Sequence, residues 1–127
     1  MEPTKILAID DEEETCSLLK EFFEGENFIV TCAHNGLDGI AIQKSFKASI
    51  IILDLRMPGI SGLETLTELK KLGPVSVICV SAVTENGMAE ECIKMGASIY
   101  MFKPIILKEL LAHVKNCQIE LEKGNIL

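Results

Sequence analysis

Five short apolar runs, at 6–9, 28–33, 50–53, 75–80 and 99–102, constrain the fold more than any other feature of this sequence. Each is four to six residues long, and most are continuously apolar and β-branched rather than alternating, as in ILAI and IIIL. A strand wetted on one face alternates; a strand covered on both faces does not, and parallel sheets are covered on both. Between the runs lie segments with helical spacing. Leu18, Leu19, Phe22 and Phe23 mark the first, and Leu37, Ile40 and Ala41 the second. Leu63, Leu66 and Leu69 mark the third, Ala89, Cys92 and Ile93 the fourth, and Ile106, Leu110, Leu111 and Val114 the fifth. Ser61 and Glu64 have capping-box spacing, and Asn35-Gly36 opens the second helix. Gly25, Gly73 and Gly96 stand where helices stop. Strand then helix, five times over, with right-handed crossovers predicts a three-layer, doubly wound α/β domain.

Length and composition agree with one such domain. The chain has 127 residues, of which 48% are hydrophobic and 24% charged. Nineteen Asp+Glu against twelve Lys+Arg give a formal charge of −7, and Arg56 is the only arginine. With no Trp and one Tyr, so acidic a chain is unsuited to direct nucleic-acid binding or to anionic membranes. The five cysteines form no CxxC pair and lie in apolar segments, which reads as core filling in a reducing compartment. The N-terminal segment does not read as a secretion signal, and no run approaches the ~20 residues of a membrane span. A cytoplasmic location is expected.

Short carboxylates are scarce: fifteen of the nineteen acids are Glu, leaving Asp10, Asp11, Asp38 and Asp54. Asp10 and Asp11 follow the first apolar run and Asp54 follows the third. In open α/β sheets the binding crevice lies at the carboxyl ends of the strands, where the strand order reverses. If it reverses near the first strand, three of the four aspartates converge. One aspartate after a strand is often only a helix cap; three of four are harder to explain that way. Two carboxylates about 4 Å apart repel by roughly 4 kcal/mol at an effective dielectric near 20, and a divalent cation removes that repulsion. Hard oxygen donors suit Mg²⁺ or Mn²⁺ rather than zinc.

Ser81 and Lys103 follow the fourth and fifth runs, adding a hydroxyl and a cation to the same rim. Such a set cradles a phosphoryl group. Pro104 comes directly after Lys103, and the bond between them is a candidate for the cis form. Neither GxxxxGK[ST] nor GxGxxG is present, so a covalently held phosphoryl group fits better than a nucleotide. Asp54 is the natural nucleophile, with Asp10 and Asp11 holding the metal.

With these residues the chain resembles the receiver domain of two-component response regulators. The resemblance is carried by Asp10-Asp11, Asp54 within DLRMPGISG, Ser81-Ala82, and Lys103-Pro104 after GASIYMF, across about 5–115. It implies a flavodoxin-like (βα)5 fold with a five-stranded parallel sheet in the order 2-1-3-4-5. It implies that Asp54 accepts a phosphoryl group from a phosphohistidine on a histidine kinase or phosphotransfer protein, with Mg²⁺ required. Asp11, Asp54 and the Arg56 carbonyl would ligate the metal, and Asp10 would act mainly through water. Lys103, the Ser81 hydroxyl and the Ala82 amide would contact the phosphoryl oxygens. Tyr100 matches the switch aromatic, and the face of the fourth helix, fifth strand and fifth helix would change its preference for an output domain or partner. A homodimer through the last helices is a further family possibility.

The physics of the switch stands apart from the family. A phosphoryl group brings about −1.5 to −2 charges and three acceptors. Ser81, drawn toward it, vacates space into which Tyr100 can turn. Before the motif match, Tyr100 is equally an ordinary half-buried residue on an edge strand. Ser81 stands where threonine is frequent, keeping the hydroxyl and losing the methyl. Arg56 and Val83 flank the attacking water and offer no carboxylate or carboxamide, so slow self-dephosphorylation is expected. The acidic run at 10–14 reads as favourable charge at a helix start. His34 and His113 lack metal-ligand spacing and read as surface residues, His113 being a weak phosphodonor candidate.

Residues 1–118 are expected to form the receiver domain, and 119–127 the end of the last helix or a linker. The chain is expected to be a stand-alone regulator or an excised N-terminal domain. The reading is a stoichiometric phosphoacceptor that catalyses its own phosphorylation and dephosphorylation. Two alternatives stand beside it. An aspartate-nucleophile phosphatase would carry D-x-D and a cap insertion, where this chain has DD and no segment long enough. A pseudo-receiver would usually lack one of the acidic or lysine positions, all of which are present.

Overall fold

The computed structural model describes residues 2–57, 59–82 and 87–124. Strands and helices alternate as β1 (Lys5–Ile9), α1 (Glu13–Gly25), β2 (Ile29–Ala33), α2 (Gly36–Phe46) and β3 (Ile50–Asp54). They continue as α3 (Gly62–Lys71), β4 (Ser76–Ser81), α4 (Met88–Lys94), β5 (Ile99–Phe102) and α5 (Leu107–Glu122). The five strands form one parallel sheet in the order β2-β1-β3-β4-β5. This is the expected flavodoxin-like topology.

The continuous apolar runs have the expected cause. Successive side chains on a strand point to opposite faces, and both faces are covered. Ile6, Ala8, Ile50, Ile52, Ile78 and Val80 join Leu19 and Phe23 of α1 and Leu110 and Val114 of α5 in one core. Leu7, Ile9, Ile51, Leu53, Val77 and Cys79 join Leu66 and Leu69 of α3 and Cys92 of α4 in the other. The three central strands are therefore buried along almost their whole length.

Local signals set the helix starts. The Asn35 side chain accepts the Asp38 amide at 2.8 Å, and Ser61 Oγ accepts the Glu64 amide at 3.1 Å. The Glu64 carboxylate accepts from the Ser61 hydroxyl at 3.4 Å, so one half of the capping box is built and its partner carboxylate turns to the side chain. A Cβ on Gly62 would lie 2.6 Å from Leu55 Cα, so this glycine lets α3 start hard against the backbone that follows β3. After Gly25 the left-handed residue is Asn27, at φ 70°.

Helix α5 runs on to Glu122. Cys117 is buried, Leu121 packs on the core, and Gln118 Nε2 donates to Thr4 Oγ1 at 2.9 Å, tying α5 to the segment before β1. Among the described residues, no helix is long and apolar enough to cross a membrane.

Candidate functional site

Because β1 and β3 are neighbours, the chain leaving β1 runs beside the end of β3. Asp10 continues the β1 ladder by donating its amide to the Ala33 carbonyl at 3.0 Å. Asp54 is the last residue of β3, paired with Val80, and Ser81 is the last residue of β4, paired with Phe102. Both therefore sit one step inside their strands rather than just after them. The Lys103 amide donates to the Ser81 carbonyl at 3.0 Å, carrying the β4–β5 ladder one step past Phe102.

Ligand oxygens of Asp10, Asp11 and Asp54 all lie within 4.8 Å of one another. Asp10 and Asp54 are buried, at 3% and 4% exposure, while Asp11 is exposed. Each buried carboxylate is held the same way. Asp10 Oδ1 accepts the Glu12 amide and Asp54 Oδ1 accepts the Arg56 amide, both at 2.9 Å. The opposite oxygens meet Lys103, whose Nζ lies 3.0 Å from Asp54 Oδ2 and 3.4 Å from Asp10 Oδ2. The exposed Glu12 carboxylate is 3.7 Å from the same ammonium. The Lys103-Pro104 peptide bond is cis.

Burial is the largest influence on Asp10 and pushes its carboxyl above the ordinary range. Asp54 adds to the rise, while the Glu12 amide and Lys103 oppose it. Burial works against the Lys103 ammonium, but the hydrogen bond and charge of Asp54, with those of Asp10, outweigh it and raise its pKa. Three carboxylates facing one ammonium leave excess negative charge in a partly dry crevice. This hard oxygen set, with Asp10 strained toward its neutral form, fits a divalent cation such as Mg²⁺.

Ser81 is buried, and it lines a cavity of about 120 Å³ with Leu55, Arg56, Leu63 and Met88, so there is room beside the hydroxyl. Ala82 and the Arg56 side chain are exposed. Val83 lies outside the described residues. Tyr100 is half-buried on β5, the sheet edge, with its ring edge-on to Phe102 at 5.2 Å. A cavity of about 440 Å³ lies far from this chemistry. Lys44, Lys47, Ser49 and Pro74 line it at the other end of the strands, and none of its lining residues is acidic.

Three neighbours of the site were not singled out for it by the sequence reading. Glu12 holds Asp10 through its amide, His34 Nδ1 lies 3.2 Å from the Asp10 carbonyl, and Cys16 Sγ donates to that carbonyl at 3.4 Å. His34 follows β2, whose end adjoins β1, and that position was the available signal.

Residues 6–115 match the family profile for the response regulator receiver domain. An uncharacterized transcriptional regulatory protein of Bacillus subtilis, YkoG, is 34% identical over 91% of this chain and 51% of its own length. The chain thus spans about half the length of this curated relative. A CheY-like receiver domain from Methanospirillum hungatei is 26% identical with a TM-score of 0.92, covering 96% of this chain and 98% of the other. The CheY chain of a CheX–CheY–BeF3–Mg²⁺ complex from Borrelia burgdorferi is 25% identical with a TM-score of 0.84, covering 90% and 88%. With this strand order and the acidic cluster beside the match over residues 6–115, the chain belongs to the receiver-domain family of two-component response regulators.

Proposed function

We propose that Asp54 is the phosphoacceptor and takes a phosphoryl group from a phosphohistidine on a histidine kinase or phosphotransfer protein. A carboxylate oxygen of Asp54 attacks phosphorus, the phosphorus–nitrogen bond breaks, and the imidazole departs and takes up a proton. Lys103 Nζ, 3.0 Å from Asp54 Oδ2, is the observation that carries this reading. It sets a fixed cation where negative charge accumulates in the transfer. The Ser81 hydroxyl and the Ala82 amide hold the other phosphoryl oxygens. Asp11, Asp54 and the Arg56 carbonyl, with Asp10 beside them, would hold Mg²⁺. When bound, the ion neutralises carboxylate and phosphoryl charge.

The chain acts stoichiometrically and promotes its own phosphorylation and dephosphorylation. The arriving charge draws Ser81 toward the phosphoryl oxygens, and Tyr100, half-buried on the neighbouring β5, turns into the space the hydroxyl leaves. The face of α4, β5 and α5 then changes its preference for an output domain or protein partner. Incubation with acetyl phosphate tests the acceptor chemistry. The intact mass should rise by one phosphoryl group with Mg²⁺ present and stay unchanged with a chelator. A mass unchanged under both conditions would overturn the proposal.

A further inference from the structure

At the end of the sheet where β3 begins, the last turn of α2, the loop into β3, the α3–β4 turn and the end of α5 enclose the cavity of about 440 Å³. That volume falls within the roughly 300–1,000 Å³ of small-molecule sites. The length of β3 separates it from Asp54 by about 16 Å. Its floor is fixed. Gln43, buried, donates Nε2 to the Ala48 carbonyl at 2.9 Å and accepts the Ala48 amide on Oε1 at 3.0 Å. Both ends of that carboxamide therefore pin the loop that carries Lys47 and Ser49. A loop already held in place lowers the ordering cost of binding.

The groups left for a ligand are two ammoniums and a hydroxyl. Lys44, Lys47 and Ser49 line the cavity, and among the described residues their side chains have no hydrogen bond or ion pair. Lysines at a helix C-terminus ordinarily balance its dipole, which is the competing explanation for this pair. That dipole presents only about half an elementary negative charge. Yet α2 carries Lys44 in its last turn and Lys47 as its C-cap, while α3 and α5, ending at the same rim, bring Lys70 and Lys123 of their own. Positive charge is in excess here, in a chain whose formal charge is −7. The rest of the wall is apolar. Leu72 is 43% exposed, Pro74 is exposed, and Leu121 is half-buried. An inorganic anion leaves those side chains wet; an organic one covers them.

We propose that this cavity binds a small organic anion. Its carboxylate, phosphate or sulfonate head meets Lys44, Lys47 and the Ser49 hydroxyl through charge-assisted hydrogen bonds, and its apolar body covers Leu72, Pro74 and Leu121. Because Leu121 stands in the last turn of α5, occupancy also ties down the end of that helix.

An amide NMR titration of the full chain with 1-naphthalenesulfonate and a chelator tests this, since the probe is permanently anionic and cannot transfer a phosphoryl group. Saturable shifts are expected at 43–49, 72–73 and 121, with a Kd below about 1 mM, while amides 10–12 and 54–56 stay in place. Neutral 1-naphthalenemethanol lacks the charge and sodium sulfate lacks the apolar body, so each should bind at least about tenfold more weakly. Lys44→Gln combined with Lys47→Gln, both at exposed positions, should weaken the sulfonate by about tenfold or more. The three probes decide the matter on the wild type even if that variant fails to fold. No saturable shift at these amides, shifts centred elsewhere, equal affinity for the alcohol or for sulfate, or an unchanged Kd in the folded double variant would each overturn the proposal.

Discussion

Replacing Lys103 with methionine keeps a long apolar stem and deletes the ammonium that two buried carboxylates share. At the observed 3.0 and 3.4 Å, each attraction is worth about 5 kcal/mol at an effective dielectric of 20. The variant no longer bears the desolvation of the lysine, which offsets much of that sum. Removing one partner from a buried ion cluster costs about 3 kcal/mol at the lower end of the usual range. That end applies because the Lys103 side chain keeps 20% exposure. The exposed Glu12 contact adds little. Urea denaturation at neutral pH with a chelator should show Lys103→Met destabilised by about 3 kcal/mol with an unchanged m-value. Added Mg²⁺ should return more stability to the variant than to the wild type, since the ion supplies positive charge that the variant lacks. In an Asp54→Asn background the same lysine substitution should cost markedly less. A deficit below about 0.5 kcal/mol, or an equal deficit in both backgrounds, would refute the reasoning.

Other changes probe separate parts of the account. Asp10 has a carboxyl pKa raised in the folded state, so its ionised form subtracts from stability. That penalty is full above the folded pKa and fades as pH falls through it; Asp10→Asn should therefore be the more stable protein at neutral pH without divalent ions. The two proteins should converge in acid, and an Asn variant less stable at neutral pH would contradict the sign. Gly62→Ala places a methyl 2.6 Å from Leu55 Cα and 2.7 Å from its carbonyl oxygen, both backbone atoms. It should cost about 2 kcal/mol in urea and slow labelling, because Leu55 adjoins Asp54; an unchanged midpoint would show that the loop yields freely. Val83→Gln supplies a carboxamide able to orient water and should speed loss of the phosphoryl group. Loss within seconds from the wild type would defeat the expected long lifetime.

How far the sequence could be read depended on whether a feature is local. Runs such as IIIL at 50–53 must be covered on both faces, so sheet type followed directly from composition. Helical periodicity was less discriminating. Leu18 and Leu37 fit the pattern yet are 52% and 63% exposed, because spacing gives an apolar stripe but not how much of it meets the core. The apolar pattern weakens after His113, yet α5 runs on to Glu122, since one contact per turn, through Cys117 and then Leu121, suffices to hold it. The aspartates were legible because short carboxylates are rare and strand ends are fixed by the apolar runs. The contacts of Cys16 and His34 with the Asp10 carbonyl were not, since strand order alone does not say which way a side chain on α1 or after β2 turns.

Mapping the acceptor most directly tests the central claim. A phosphohistidine-bearing donor protein, mixed with wild type and with Asp54→Ala in Mg²⁺, should label the wild type alone. Borohydride reduction should then convert position 54 to homoserine, as expected for an acyl phosphate. Label that survives Asp54→Ala, or that maps to His113 or any other residue, would contradict the account.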